Sequence, residues 1–214
     1  MQAEHIETAI RDRLRDRWLL DHPFYRRWTA GDVTIEELRA YAAQYRHFEA
    51  MVPAHLRAVA EVAEQPALRE QALRNLADEA GTAPTHLELF ERFASALGAP
   101  SHADPSPAMT HLLDTYSATI AAGASAGSAA MLAYEMQAPD VSATKADGLR
   151  RHGILDGDAL AFWDVHAGMD RDHSAWALEA LAVSGTDEDV VVGAAGSAAD
   201  AWWAFLDERE ALRA

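Results

Sequence analysis

Helical periodicity runs through almost the whole chain, and alternating β-branched residues never extend beyond a few positions. Short segments marked by proline and glycine separate the periodic runs, as Gly98-Ala99-Pro100 does. The 214 residues suit one domain with a substantial core, and neither a linker nor a repeat of roughly 20–50 residues divides them. We therefore predict a single all-α domain over residues 1–214, with about seven or eight helices.

The predicted helices cover residues 3–20, a long stretch that begins at 34, and then 66–80, 85–97, 106–136, 142–152, 156–183 and 186–213. Residues 115–134 carry no charge, as in a membrane span. Their content is mostly alanine, serine and glycine, which is too weakly apolar to insert well, and the run ends at Glu135. Small residues recur there at Gly123 and Gly127. We interpret this run as a helix packed closely against its neighbours inside the fold.

The composition excludes several classes of site. The chain has no cysteine, so disulfides, iron–sulfur clusters, thiolate zinc sites and cysteine nucleophiles are ruled out. The net charge of −16 argues against a nucleic-acid partner and against anionic membranes. No basic segment followed by an apolar stretch opens the sequence, so we expect a cytoplasmic protein without a secretory signal.

One predicted helix near the C-terminal third carries three metal-capable side chains, His166, Asp170 and His173. Their spacing of i, i+4 and i+7 places them within roughly 60° of one another on an α-helix. Two imidazoles and a carboxylate on one face suit iron, manganese or zinc. By chance alone, a triple with histidine at both ends is expected about 0.1 times in a chain of this composition.

Two other places could complete a dinuclear site, which needs about six protein ligands. Glu79 and His86 would stand about 10 Å apart on a continuous helix, but Gly81 and Pro84 predict an unwound segment that brings them together. Glu135 ends the uncharged run, where a buried carboxylate is costly unless it is paired or metal-bound. The alternatives left open are a solvated helix end for Glu135 and an acidic surface for Glu79.

These candidates carry a family resemblance. In order they are Glu79, His86, Glu135, His166, Asp170 and His173. The series resembles the six-ligand signature of the heme-oxygenase-like dimetal oxidases, in the TenA/PqqC-like superfamily. Within that group the chain is most similar to the chlamydial protein associating with death domains (CADD) and its relatives, proposed as self-sacrificing para-aminobenzoate synthases. The likeness spans about residues 15–180 and includes His22-Pro-Phe-Tyr25-Arg-Arg-Trp28, Leu38-Arg-Ala-Tyr41 and Asn75-Leu-Ala-Asp78-Glu79.

The resemblance implies a heme-oxygenase-like helical bundle that holds two metal ions, Fe/Fe or Mn/Fe. It also implies O2 as a co-substrate and an external reductant. In the self-sacrificing version, a tyrosine side chain is cleaved from the backbone and becomes the ring of para-aminobenzoate, while a lysine supplies the nitrogen. Tyr25 and Tyr134 match tyrosines of that group by position, whereas Phe162 replaces a tyrosine expected four residues before His166.

The only lysine, Lys145, lies ten residues after Glu135, where the subgroup carries its proposed amine donor. An amine can lose its proton when buried and act as a nucleophile, which a guanidinium cannot. The alternative is an ordinary lysine on a helix surface.

Other functions remain open at this stage. An oxidase acting on an external amino or fatty acid, by N-oxygenation or C–C cleavage, would keep all six ligands without needing Lys145. A non-catalytic interaction module would take up no metal. The paired Glu-x-x-His motifs of ferritin-like proteins are missing. The sequence leaves open the metal pair, the tyrosine consumed and whether the chain forms a homodimer.

Overall fold

The computed structural model describes residues 2–81 and 83–213. These residues contain ten α-helices and three short 3-10 turns, joined by loops, and no strand. The helices are α1 (Ala3–Arg13), α2 (Pro23–Ala30), α3 (Ile35–Val62), α4 (Pro66–Ala80), α5 (His86–Leu97), α6 (Pro107–Ala121), α7 (Ala124–Glu135), α8 (Ala138–Arg151), α9 (Ala161–Val183) and α10 (Glu188–Ala211). The 3-10 turns are Arg15–Arg17, Leu19–Asp21 and Gly157–Leu160. The all-α prediction is confirmed.

Capping residues in the sequence explain where several helices begin. The Thr34 side chain accepts a hydrogen bond from the backbone N–H of Glu37 at the start of α3, and the Glu37 carboxylate accepts one from the backbone N–H of Thr34. Thr85 and Glu88 form the same capping box at the start of α5. Each box satisfies backbone donors that would otherwise lack a partner in the first turn.

The structure adds two helices to the eight predicted ranges. Helix α2 begins at Pro23 because the His22 ring accepts a hydrogen bond from the Phe24 backbone and caps the helix. The predicted helix over 106–136 is wrong as a single element, because Gly123 adopts a φ of 133° and separates α6 from α7. Such a backbone angle strongly favours glycine, which has no Cβ.

Helix α7 is packed inside the bundle, as its uncharged sequence indicates. Eleven of its residues are buried, and it contacts α3, α4, α6, α9 and α10. A Cβ added at Gly127 would lie 2.9 Å from side-chain atoms of both Ile120 and Val59. The missing side chain therefore allows α7 to approach α3 and α6 closely. Among the described residues, no helix is long and apolar enough to cross a membrane.

We predict that Gly127→Ala lowers the free energy of unfolding, because overpacking costs about 1–3 kcal/mol and outweighs a gain in helix propensity of about 1 kcal/mol. Gly193→Ala is the matched control, since Gly193 lies in α10 with no atom within 4 Å of an added Cβ. Urea unfolding followed by circular dichroism should show a lower midpoint for Gly127→Ala and an equal or higher one for Gly193→Ala. A higher midpoint for Gly127→Ala would show that α7 is not closely packed.

Candidate metal centre and lysine pocket

The segment between α4 and α5 brings two predicted ligands, Glu79 and His86, into contact. Helix α4 ends at Ala80, directly after Glu79, and α5 begins at His86. As a result, His86 Nδ1 is 2.8 Å from Glu79 Oε2. The predicted unwinding between these two residues is therefore present, although Thr82 in this segment lies outside the described residues.

Helix α9 contributes the other three side chains of the predicted motif, His166, Asp170 and His173, to the same interior region. Glu79, His86 and His166 each offer an atom within 4.8 Å of the others. The Nδ1–H of His166 donates to the Phe162 carbonyl at 2.8 Å, which leaves Nε2 free to bind a cation. On the same helix, His173 Nδ1 is 3.4 Å from Asp170 Oδ1.

A small internal cavity of about 30 Å³ connects these groups. Four of the six predicted ligands line it, namely Glu79, Glu135, His166 and Asp170. The other two contact members of that group, His86 through Glu79 and His173 through Asp170. All six side chains are buried. The structure thus brings every predicted ligand to one interior region.

Helix α4 also carries two polar residues that orient ligands on other helices. The Asn75 amide donates to Glu135 Oε1 at 2.8 Å. Asp78 Oδ2 accepts from His173 Nε2–H at 3.2 Å, so the unpartnered Nδ1 of this ring is the nitrogen left for a cation. Carboxylates and amides in such outer positions fix the tautomer and orientation of metal ligands.

Several buried atoms of this cluster have no hydrogen-bond partner among the described residues. They are Glu135 Oε2 and Asp170 Oδ2, together with His86 Nδ1 and His173 Nδ1, which lie 2.8 and 3.4 Å from carboxylate oxygens of Glu79 and Asp170 but without hydrogen-bond geometry. Buried polar atoms are nearly always paired, and leaving one unpaired costs about 1–3 kcal/mol. Mixed carboxylate and imidazole donors with free lone pairs fit iron or manganese. These residues could therefore hold a pair of metal ions.

Protonation in the metal-free cluster reflects its burial. Burial raises the pKa of Glu135 to about 7, and the charge of Asp170 adds to this effect. Burial alone would lower the pKa of His173, but its contact with Asp170 and the charge of Glu135 raise it to about 9. Metal ions would therefore have to displace protons from Glu135 and His173 in order to bind.

A second feature lies beside this cluster, around the single lysine. Lys145 is only 1% exposed, so it is not an ordinary surface residue. Its Nζ donates to the Tyr41 hydroxyl at 2.7 Å and lies 4.8 Å from the ring centre of Tyr25 and 4.1 Å from that of Trp163. Burial holds the pKa of the Lys145 amine well below its usual value. The lysine pocket therefore favours the neutral, nucleophilic amine.

Hydrogen-bonded tyrosines connect the two features. The hydroxyls of Tyr25 and Tyr41 are 2.9 Å apart, and those of Tyr45 and Tyr134 are 2.6 Å apart. Tyr45 and Tyr134 also line the metal-side cavity, while the Tyr45 ring centre is 5.0 Å from Lys145 Nζ. Phe162 packs its ring 4.2 Å from that of His166 without a hydroxyl group to join the network.

Sequence reasoning alone missed five residues of this region as functional candidates: Tyr41, Tyr45, Glu49, Asn75 and Asp78. A signal was present for three of them, because Tyr41, Tyr45 and Glu49 follow one another at intervals of four on α3 and so share one face. Asn75 and Asp78 are three apart on α4.

Comparison with known proteins fits this arrangement. The family model described as iron-containing redox enzyme matches residues 39–206. The chain belongs to the iron-containing redox enzyme family. It is therefore an oxidoreductase, and the metal-capable groups described above lie within the matched range. The family resemblance read from the sequence is confirmed.

Relatives and solved structures extend over nearly the whole chain. A 4-aminobenzoate synthase of Nitrosomonas europaea is 37% identical, over 97% of this chain and 92% of its own. A 4-aminobenzoate synthase of Chlamydia muridarum is 30% identical, over 91% and 85%. The crystal structure of a CADD-like protein of unknown function from Nostoc punctiforme superposes with a TM-score of 0.79, at 17% identity over 97% and 96% of the two chains. That structure shares the fold.

We predict that the affinity for Mn(II) rises with pH, because Glu135 and His173 must lose protons that they hold below pH values of about 7 and about 9. Between pH of about 6 and about 8.5, the dissociation constant should fall at least about tenfold. Anaerobic titration with electron paramagnetic resonance of free Mn(II) measures this change. Equal affinity at both pH values would show that the ion binds elsewhere.

Proposed function

We propose that this protein is a self-sacrificing 4-aminobenzoate synthase. It would use two metal ions, O2 and an external reductant to release one of its own tyrosine side chains as the aromatic ring, with Lys145 as the nitrogen donor. The observation that carries the proposal is the burial of the only lysine among tyrosines, one of which, Tyr45, also lines the cavity shared by four candidate metal ligands. Two relatives that cover most of the chain bear the name of this activity.

The metal-binding residues in this proposal are Glu79, His86, Glu135, His166, Asp170 and His173. Their mixture of carboxylates and imidazoles suits Fe/Fe or Mn/Fe. When bound, the metal pair would supply the activation of O2. The protein groups hold the ligands in place, exclude water from the cavity and keep the reacting side chains next to it.

Lys145 supports amine donation through its surroundings. Burial lowers the pKa of the Lys145 amine and so favours the neutral form, whose lone pair can bond to carbon. Tyr41 accepts a hydrogen bond from Nζ and holds it beside the Tyr25 ring. An arginine at this position would stay charged and could not react in this way.

Tyr25 is our proposed source of the ring. Its centre lies 4.8 Å from Lys145 Nζ, and its side chain is fully enclosed. Tyr134 instead pairs with Tyr45 and lines the metal-side cavity, which suits a role between the metal ions and the lysine pocket. We therefore propose different roles for the two predicted catalytic tyrosines, with Tyr25 as the source of the ring and Tyr134 between the metal ions and the lysine pocket.

The cavity volume favours an internal substrate over an external one. Pockets for small organic ligands measure roughly 300–1,000 Å³. The space between the candidate ligands is about 30 Å³, enough for small species but not for a free amino or fatty acid. The cavity beside the candidate ligands is therefore too small for the second candidate function, oxidation of such an external molecule.

We predict that Lys145→Arg abolishes 4-aminobenzoate formation while metal binding persists, because arginine keeps a long basic side chain but its guanidinium stays charged and cannot act as a nucleophile. Anaerobically loaded protein would be exposed to O2 and reductant, followed by product analysis and intact-protein mass spectrometry. Wild type should lose mass at Tyr25, and Tyr25→Phe should form no product.

Arg150→Lys is the matched control, since Arg150 lies on the same helix but pairs with Asp164 at the surface. It should behave like wild type. Undiminished product from Lys145→Arg would remove the lysine from the reaction and favour an external amine.

A further inference from the structure

Glu49 is a buried carboxylate that the proposed ligand set leaves unused. It lies on α3, is 4% exposed, and lines the same cavity as Glu79, Glu135, His166 and Asp170. Within the described part of the chain, Glu49 is the one carboxylate lining this cavity that is not among the six candidate ligands.

Glu49 differs from every other buried glutamate among the described residues. Glu37 pairs with Arg27, Glu79 contacts His86, and Glu135 accepts from Asn75. Glu49 forms no hydrogen bond or ion pair within residues 2–81 and 83–213. A buried carboxylate without a partner is costly in its charged form, so Glu49 suits a site where a cation supplies the opposite charge.

Lys145 forms no ion pair with Glu49. Its Nζ is hydrogen-bonded to Tyr41, which lies eight residues before Glu49, or about 12 Å along α3. Tyr45 occupies the position between them and joins its hydroxyl to Tyr134. Glu49 therefore belongs to the metal end of this helix face, and the lysine to the other end.

The balance of charge between the carboxylates and two metal ions also favours Glu49 as part of the metal end of α3. The proposed ligands include three carboxylates, Glu79, Glu135 and Asp170, whereas two divalent cations carry four positive charges. With Glu49 the cavity holds four carboxylates, which would neutralise the pair inside an interior of low dielectric constant.

We infer that Glu49 is a seventh, carboxylate ligand of the metal centre, contributed by α3. This inference rests on the proposed function, since it requires that two metal ions bind between the six candidate ligands. It gives α3 a part in metal binding at one end and in holding Lys145 at the other.

The test compares wild type with Glu49→Gln, Glu49→Asp and the control Glu61→Gln, an exposed position on the same helix. Anaerobic titration with Co(II), read by visible absorption and by metal analysis after dialysis, gives the number of ions and each affinity. We expect two ions in wild type and in Glu61→Gln, and binding of one ion weakened at least about tenfold in Glu49→Gln. Glu49→Asp should retain more affinity than Glu49→Gln because it keeps the charge.

Thermal unfolding of the metal-free variants separates a ligand from a structural residue. Removal of an unpaired buried carboxylate should leave the unfolding temperature of apo Glu49→Gln at or above that of wild type. A clear decrease would identify a structural role and overturn the inference.

Unchanged Co(II) affinities in Glu49→Gln would also overturn it, even if 4-aminobenzoate synthesis were lost, because the residue would then act after metal binding. Failure of folded wild type to bind any ion is a different result. It would refute the proposed function itself.

Discussion

Buried charge without a counter-charge is the constraint on which the rest of this structure depends. An all-helical core that excludes water here contains four carboxylates around one cavity of about 30 Å³, with three imidazoles among and beside them. Hydrophobic packing cannot compensate for such a cluster, and the protein supplies too few cations to neutralise it. Protons on Glu135 and His173 offset part of this charge, and a pair of metal ions would replace them, which is why a metal centre accounts for the arrangement.

Two helices organise this interior in different ways. Helix α4 contributes one candidate ligand, Glu79, and uses Asn75 and Asp78 to orient Glu135 and His173 on neighbouring helices. Helix α3 instead runs past both features, with Tyr41 against the lysine and Tyr45 against Tyr134. A rigid helix with side chains every four residues on one face can thus connect a metal site to a nucleophile without a flexible loop.

Prediction from the sequence succeeded where local chemistry decides the outcome. Apolar periodicity and capping residues placed most helices, and the Gly81–Pro84 breakers indicated an unwound segment between Glu79 and His86. It failed where a single backbone angle matters, as at Gly123, which divides one predicted helix in two. Glu49 was also missed, because α3 carries four glutamates, of which Glu36 and Glu61 are exposed while Glu37 and Glu49 are buried, so residue type alone does not reveal which of them faces the cavity.

The sequence by itself determined the helical class, the absence of thiol chemistry, the ligand-capable side chains and the singular lysine, because these follow from residue identity and short-range spacing. The tertiary structure alone decided that residues from α3, α4, α7 and α9 meet in one cavity, that Lys145 is buried against Tyr41, and that Glu49 lacks a partner. These properties depend on how distant helices pack together, and packing sets the burial and the neighbours that turn an ordinary side chain into a reactive one.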